Sequence, residues 1–292
     1  MRRLGNKKGF TLVELSLSIA FIAILSITIA LIINDAISTY RRGITLNQIN
    51  TVGMDLVDDI RMAVQNSPVT KLTDICQKRY SNVAERNKCL KNGAKESMLV
   101  TTYANEVKLR GKESNPMRNV PISGAFCTGS YSYIWNSGYL FSDDVANKSD
   151  LNSKLATLTY GSTTRDNFRL LKVRDKERDV CLSVLSDTSY GRASGKESNF
   201  TISSAIPDEE AILLENNDNN SLALYDLSAA VPASNDLNAM FYSMSFILGT
   251  VQGGINVMSN GNFCTAPEGF NSNFDYCAIN KFNFAAQANG RK

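Results

Sequence analysis

Histidine is absent from the 292 residues of the chain. Its absence removes the commonest general base, the usual side-chain metal ligand and every nucleophile pair that depends on an imidazole. Carboxylates or lysines could still act as catalysts, but they leave a small repertoire for an active site. We therefore expect a protein that is not an enzyme and that holds no metal and no cofactor.

Cysteine pairs of the C-x-x-C type are also absent, so a zinc site would have to gather four thiolates from distant parts of the chain. An even number of cysteines in an exported chain favours disulfides formed in an oxidising compartment. Six cysteines allow fifteen connectivities, and the sequence alone does not choose among them. The six candidates are Cys76, Cys89, Cys127, Cys181, Cys264 and Cys277.

Charge is nearly missing from residues 10–33, where Glu14 is the single ionisable side chain. As a helix this run would span roughly 36 Å, enough for the ~30 Å hydrocarbon core of a membrane. Residues 1–9 hold four basic side chains and no acid, which places the N-terminus in the cytoplasm and the rest of the chain outside. Removing those four from the 31 basic residues leaves 27 against 28 acidic ones, so the remaining chain gives little support for nucleic-acid binding.

Two ordinary explanations compete for the apolar run. A secretory signal has a shorter apolar region and a small-residue cleavage site after it, and neither property is found here. A plain transmembrane anchor fits the length, but it does not explain Glu14, because an unpaired carboxylate among lipid-facing side chains is costly. A carboxylate in that position calls for a cationic partner.

The string from Lys8 to Leu15, KGFTLVEL, resembles the leader and mature N-terminus of type IV pilins and pseudopilins. The resemblance covers about the first 25 residues. It implies that a prepilin peptidase cuts between Gly9 and Phe10 and N-methylates Phe10. It also implies that Glu14 pairs with the N-terminal amine of a neighbouring subunit, so that both charges leave the lipid together.

The apolar pattern continues beyond the membrane run as an amphipathic helix. Apolar residues recur at steps of three and four through 34–66, with Asp58, Asp59 and Arg61 on the wet side. Asn66 precedes Ser67-Pro68, where the helix should end. A break into two helices near Gly43 is the alternative. The predicted buried face is formed by Ile37, Tyr40, Ile44, Ile49, Val52, Leu56, Ile60 and Val64.

Residues 67–292 are expected to form a globular, β-rich head with disulfides. The predicted fold is therefore α+β: a long N-terminal helix, transmembrane and then amphipathic, packed on a mostly antiparallel pilin-like head. Residues 111–130 and 143–165 look like insertions or an added lobe. Strands are predicted at 98–103, 105–110, 131–141, 168–174, 179–185, 200–204, 210–215, 221–227 and 241–251.

The cysteine pairing that we favour joins nearest neighbours. Cys76 and Cys89 would close a local loop, and Cys127 would pair with Cys181. Cys264 and Cys277 enclose a segment that resembles the disulfide-bounded loop near the C-terminus of many pilins. A disulfide that closes a loop of that length stabilises a protein by roughly 3 kcal/mol.

Three further segments have a structural and a functional interpretation. The run from Asn216 to Asn220 reads as a hairpin turn, since it lacks the carboxylate spacing of a calcium loop. The basic stretch from Arg165 to Arg178 reads as a solvated strand face instead of a DNA groove. Tyr131, Tyr133 and Trp135 alternate on one strand, where they would form one side of the core or stack on bases or sugars.

These features lead to one expected function and one alternative. The first is a structural subunit, a minor pilin or pseudopilin, that waits in the cytoplasmic (inner) membrane and then joins an extracellular pilus or a pseudopilus. Its partners would be prepilin peptidase, other pilin subunits and the membrane. The alternative is a pilus-tip adhesin or DNA-binding subunit whose large head binds a surface ligand or DNA.

Overall fold

The computed structural model describes residues 11–67, 76–77, 80–92, 100–107, 118–128, 130–141, 155–166, 168–175, 179–180, 199–202, 210–215, 221–230, 239–251, 258–259, 262–263 and 277–289. Within these ranges the chain has a long N-terminal helix and four sheets, which confirms the mixed α+β class. All but one of the described strand pairings are antiparallel.

The N-terminal helix α1 (Leu12–Gln65) contains 54 residues without interruption, about 81 Å at the helical rise. Thr11 caps its start, and the backbone N–H of Asn66 donates to the carbonyl of Met62 at its end, over 2.9 Å. The helix therefore ends where the sequence predicted. The alternative of two helices that break near Gly43 is wrong.

In the described part of the chain, a second helix and thirteen strands follow. They are α2 (Val83–Asn92), β1 (Val100–Val107), β2 (Arg118–Cys127), β3 (Tyr131–Asn136), β4 (Thr157–Tyr160), β5 (Thr163–Arg165), β6 (Phe168–Arg174), β7 (Asn199–Ile202), β8 (Glu210–Glu215), β9 (Ser221–Ala230), β10 (Ala239–Val251), β11 (Met258–Ser259), β12 (Asn262–Phe263) and β13 (Ile279–Asn289).

The largest sheet has five strands in the order β1-β2-β3-β6-β8. The strands predicted at 168–174 and 210–215 are confirmed with the same bounds. The two strands predicted at 98–103 and 105–110 are replaced by the single strand β1, whose pairing with β2 shifts between Tyr103 and Ala104. Of the strand predicted at 131–141, only Tyr131–Asn136 is strand, and Gly138–Phe141 forms a 3-10 turn.

Strand β2 corrects the prediction that 111–130 is an insertion, because it lies between β1 and β3. Pro121 and Gly124 make this segment read as a loop, since proline cannot donate to a ladder. The register accommodates the proline: Tyr103 faces Ser123 while Ala104 faces Pro121, so Ile122 is an extra residue at a bulge.

A second sheet joins three long strands in the order β13-β10-β9. Strand β13 was not predicted, because its alanine, asparagine and lysine residues have low β propensity. It pairs with β10 from Ala239↔Asn289 to Gly249↔Ile279, and this long ladder overrides the local preference. Two short strands, β11 and β12, form a separate hairpin.

The run from Asn216 to Asn220 lies outside the described residues. Its flanking strands pair elsewhere, β8 with β6 and β9 with β10, so the hairpin predicted between them is wrong. Of the strand predicted at 179–185, residues 179–180 form a helical turn and the others lie outside the described ranges.

A further three-stranded sheet, which we call the lobe, takes β4 and β5 from the stretch 143–165 that was interpreted as an insertion or an added lobe, and β7 from Asn199–Ile202. Its order is β5-β4-β7, with β4 antiparallel to β5 and parallel to β7. Gly161 makes the turn from β4 to β5 with φ 55°, a value that favours glycine.

Two hydrophobic clusters lie on opposite faces of the five-stranded sheet. Tyr133 and Trp135 on β3 belong to the first cluster, which also contains α1 and the β13-β10-β9 sheet. Ile134, the residue between them, belongs to the second cluster, which contains Leu158 and Phe200 of the lobe. Because side chains alternate across a strand, α1 and the lobe flank opposite faces of this sheet.

Cys76, Cys127 and Cys277 are disulfide-bonded in the structure. The side chain of Cys89, and residues Cys181 and Cys264, lie outside the described part of the structure. The pairing of nearest neighbours therefore stays a prediction.

Candidate assembly site: the exposed helix and its attachment to the head

The N-terminus of α1 places the predicted assembly residue Glu14 in a reciprocal cap with Thr11. The backbone N–H and the hydroxyl of Thr11 both donate to Oε2 of Glu14 at 3.0 Å. In return, the backbone N–H of Glu14 donates to the Thr11 hydroxyl at 3.2 Å. The sequence T-x-x-E from Thr11 to Glu14 is the signature of this capping box. The resemblance to pilins had assigned Glu14 only a role in assembly.

The cap gives Glu14 a local role besides the predicted intersubunit one. Both bonds reach Oε2, and Oε1 receives no hydrogen bond from any of the described residues. The carboxylate is exposed, so a further donor can approach it. Gly9 and Phe10, the predicted cleavage junction, lie outside the described residues.

The following part of α1 is an apolar surface that the head does not cover. Its large apolar side chains from Leu12 to Ile37 are between 43% and 84% exposed. The helix is long and apolar enough to span a membrane. The hydroxyls of Ser16, Ser18 and Thr28 donate to carbonyls one turn back, at 2.8–2.9 Å, so these polar groups are satisfied within the helix.

The head begins to cover α1 only at Thr45, which is 5% exposed. The predicted buried face therefore needs a correction at its start, because Ile37, Tyr40 and Ile44 are 43%, 70% and 51% exposed. The exposed part of the helix therefore extends through residue 44, with Ile37, Tyr40 and Ile44 exposed among polar residues. From there the prediction holds: Ile49, Leu56, Ile60 and Val64 are buried and Val52 is partly buried.

A close contact of backbone with an aromatic ring holds the covered part of the helix. The ring of Phe282 on β13 lies where a side chain at Gly53 would be. Phe282 stacks in turn on Phe246 of β10, with ring centroids 5.0 Å apart. Gly53, which lowers the intrinsic helix propensity, is therefore a position where the absence of a side chain lets a head ring contact the helix.

A polar cluster attaches α1 to the largest sheet at Asp59. Its Oδ1 accepts from Nζ of Lys172 at 2.7 Å, and its Oδ2 accepts from the hydroxyl of Tyr133 at 2.9 Å. Lys172 also lies 4.6 Å from the centre of the Tyr131 ring. Burial, followed by the Asp59 charge, raises the pKa of Tyr133, which stays a neutral donor. The prediction that Asp59 points to solvent is wrong.

The same contacts decide the role of two predicted surfaces. Tyr133 and Trp135 are fully buried in the first cluster and Tyr131 packs against it, which confirms the core interpretation and contradicts base stacking. Arg169 is 4% exposed, with its guanidinium 4.7 Å from the centre of the Phe141 ring. The basic stretch is therefore not a solvated face at Arg169 or Lys172.

Arg165 is the most exposed cation described in that stretch, and its side chain forms an ion pair with Glu210. The two side chains are 3.0 Å apart, and Tyr160 donates to the other carboxylate oxygen at 2.7 Å. This group joins the lobe to β8. The exposed guanidinium of Arg165 is therefore already paired with a carboxylate of the head.

A buried carboxylate that the sequence did not single out lies on the lobe side of the sheet. Asp175 is 2% exposed and accepts bonds from the Ser132 hydroxyl and from the backbone N–H groups of Asp179 and Val180, at 2.7–3.1 Å. Burial raises its pKa, and these bonds lower it in part. Ser132 also contacts the disulfide-bonded Cys127, so the cluster supports the second core.

No protein-family model, no curated protein and no solved structure matches this chain. Among the described residues, no cluster of three or more potential metal-ligating side chains occurs. The candidate functional site of the described residues is therefore the helix, its terminal carboxylate and its attachment to the head.

Proposed function

We propose that this protein is a structural subunit, a minor pilin or pseudopilin, of a type IV pilus or a related filament. One observation carries the proposal. A single uninterrupted helix presents an exposed apolar surface from Leu12 to Ile33 with a carboxylate at its start, and its last third is packed against a large head. The leader resemblance supplies the cleavage that would convert this anchor into a filament subunit.

The mechanism is assembly. Prepilin peptidase cuts between Gly9 and Phe10 on the cytoplasmic side and methylates the new N-terminus. The subunit waits in the membrane with its head outside. The new amine of one subunit then meets Glu14 of another, and burying the two charges as a pair removes much of the desolvation cost of each.

The attachment of the head to α1 would fix the position of the head relative to the filament core. Asp59, Gly53 and the first hydrophobic cluster prevent the covered third of α1 from sliding on the sheet. The exposed two thirds would bundle with the helices of neighbouring subunits, because an uncovered apolar surface of that length needs lipid or protein around it.

The alternative of an adhesin or DNA-binding head gains no support from the described residues that first suggested it. The alternating aromatic side chains are in the core, and Lys172 and Arg165 are paired with carboxylates. The filament subunit is therefore the function that we favour.

The test is a substitution at the proposed junction. Gly9→Val should leave the full-length precursor in the membrane and abolish incorporation into filaments, whereas Gly5→Val, in the same leader, should be processed normally. N-terminal sequencing of the wild-type protein from sheared filaments should begin at N-methylated Phe10. Unchanged processing of the Gly9 variant would show that the leader assignment is wrong.

A further inference from the structure

A short part of α1 lies between the apolar run and the head. The apolar run ends at Ile33, and the head first buries the helix at Thr45. The segment between them, residues 34–44, is helical, and each of its side chains whose exposure the structure describes is exposed. We call this segment the collar. At the helical rise it is about 16 Å long.

The position of the collar along the helix places it at a membrane surface. The run from Leu12 to Ile33 is about 33 Å long as a helix, which matches the ~30 Å hydrocarbon core of a bilayer. The headgroup region adds about 5–8 Å on each side of that core. The first half of the collar therefore lies among the headgroups, and the second half lies just beyond them, before the head begins.

The apolar side chains of the collar suit that depth. Ile37, Tyr40 and Ile44 are 43%, 70% and 51% exposed, and their spacing of three and four residues places them on one face of the helix. Tyrosine is enriched where membrane meets water, because its ring is apolar and its hydroxyl is polar. This face therefore has the composition of an interfacial surface.

Two cations lie on the same segment. Arg41 and Arg42 are exposed, and their backbone lies about 12–14 Å beyond Ile33. Side chains on a helix tilt toward its N-terminus, which is here the direction of the membrane, so each guanidinium reaches back toward the lipid phosphates. A guanidinium binds phosphate through two parallel hydrogen bonds.

The acid of the collar, Asp35, does not cancel these charges. Two arginines against one aspartate leave the collar with a net charge of +1. Among the described ion pairs, none joins Asp35 to Arg42. Subunits that wait in the membrane hold their collars at the same depth, so two collars repel each other, whereas an anionic lipid is attracted to both.

We infer that the collar is a docking surface for anionic phospholipid headgroups of the outer leaflet, which hold the subunit at a fixed depth before assembly. Tyr40 lies at the interface, and Arg41 and Arg42 bind the lipid phosphates. The inference rests on the proposed function, because it takes residues 12–33 to cross the membrane with the head outside.

The first measurement is the depth of the collar. The full chain with Tyr40→Trp is reconstituted in vesicles of equal parts phosphatidylcholine and phosphatidylglycerol. Trp135, buried in the head, gives a background that lipid quenchers do not reach. We expect the new indole to be quenched by a nitroxide close to the headgroup and much less by bromine atoms at the ends of the acyl chains.

The matched reporter is Met54→Trp, on the exposed side of the head-covered third of the same helix. Its backbone lies about 30 Å beyond Ile33, so neither quencher should reach it. Headgroup quenching of both reporters alike, or of neither, would overturn the inference.

The second measurement is the choice of lipid around Tyr40→Trp. The same nitroxide is carried either by phosphatidylglycerol or by phosphatidylcholine, and the ratio of the two quenching efficiencies reports the local lipid preference. We expect phosphatidylglycerol to be preferred. The preference should fall about fivefold for each charge removed by Arg41→Gln and Arg42→Gln. Arg61→Gln, on the head-covered third, should leave it unchanged.

The outcomes separate this inference from the proposed function. Equal quenching by the two lipids before and after the arginine substitutions would overturn the inference. An unchanged lipid preference together with lost incorporation into filaments would also overturn it, and would show that a second copy of the chain meets these arginines. Either result in a chain cut after Gly9 leaves the proposed function standing. A lipid preference that depends on both arginines, in a chain with an uncut leader, would support the inference and contradict the proposed function.

Discussion

Gly53 of the helix and Phe282 of the last strand meet with no room for a side chain between them. We expect Gly53→Ala to destabilise the head by about 1–3 kcal/mol, because the added methyl group forces the ring out of its stack with Phe246. This loss should outweigh the gain of up to ~1 kcal/mol in helix propensity. Denaturant unfolding of the full chain in detergent, followed by the fluorescence of the single buried tryptophan, Trp135, measures it.

The control for that substitution is Gly43→Ala, on the exposed part of the same helix. It should leave the stability of the head unchanged or raise it slightly. The double change Gly53→Ala with Phe282→Leu should lose less than the sum of its parts. Equal stability of the Gly53 variant and the wild type would mean that the ring does not hold the helix.

The side chains of Asp59 and Lys172 should be energetically coupled. The side chain of Asp59 is 27% exposed and that of Lys172 is 17% exposed, so this ion pair is intermediate in burial. Exposed ion pairs contribute ~0.2–1 kcal/mol to stability, and breaking a buried ion pair costs ~3–5 kcal/mol. A double-mutant cycle of Asp59→Asn and Lys172→Met should therefore give a coupling of about 1–2 kcal/mol. The more exposed pair of Asp58 and Arg61, changed in the same way, should give less than ~0.5 kcal/mol. Equal couplings would contradict the proposed attachment.

The sequence predicted the parts of this molecule that have a strong local pattern. The apolar run, the proline after Ser67 and the apolar residues of β6 and β8 each specify their element without help from distant residues. The strands that it missed depend on partners far along the chain. Pro121 is tolerated in β2 only because a bulge receives it, and the alanine-rich β13 is a strand because β10 pairs with it over eleven register positions.

The residues of the candidate site also differ in how far the sequence alone could reveal their roles. Glu14 could be singled out because a lone carboxylate in an apolar run is costly wherever the chain folds. The roles of Asp59 and Asp175 could not, because an acid in an amphipathic helix or at a strand end looks solvated until its partners are known. Lys172 is 113 residues from Asp59, and Ser132 is 43 residues from Asp175.

Asp175 should make the stability of the head depend on pH. Burial raises its pKa above the ordinary value of 3.8, so the folded state holds the proton more tightly than the unfolded state. Its contribution is fully present below pH 3.8 and is lost as the pH rises through the raised pKa, by at most about 1.4 kcal/mol per pH unit. Asp175→Asn should remove this slope from unfolding curves measured across mildly acidic pH.

Ser132→Ala moves the same dependence in the opposite direction. The hydroxyl of Ser132 lowers the pKa of Asp175, so its loss should raise that pKa further and shift the fall in stability to higher pH. If the slopes of the wild type and of the Asp175 variant were identical, the buried carboxylate would not be the group that titrates.

Glu14 has two separable roles, and its neighbour Thr11 allows them to be distinguished. Glutamine can replace glutamate in a capping box, so Glu14→Gln keeps the bond to the Thr11 backbone but removes the charge. Thr11→Ala keeps the charge and removes the hydroxyl cap, at a cost of about 1 kcal/mol to the helix.

Leader cleavage should be normal in both variants. Incorporation into sheared filaments should fall at least tenfold for Glu14→Gln, since breaking a buried ion pair costs ~3–5 kcal/mol. It should change little for Thr11→Ala, because the remaining turns of α1 are held by lipid and by the head. If both variants were impaired equally, Glu14 would act through the helix cap, and its pairing with a neighbouring Phe10 amine would be excluded.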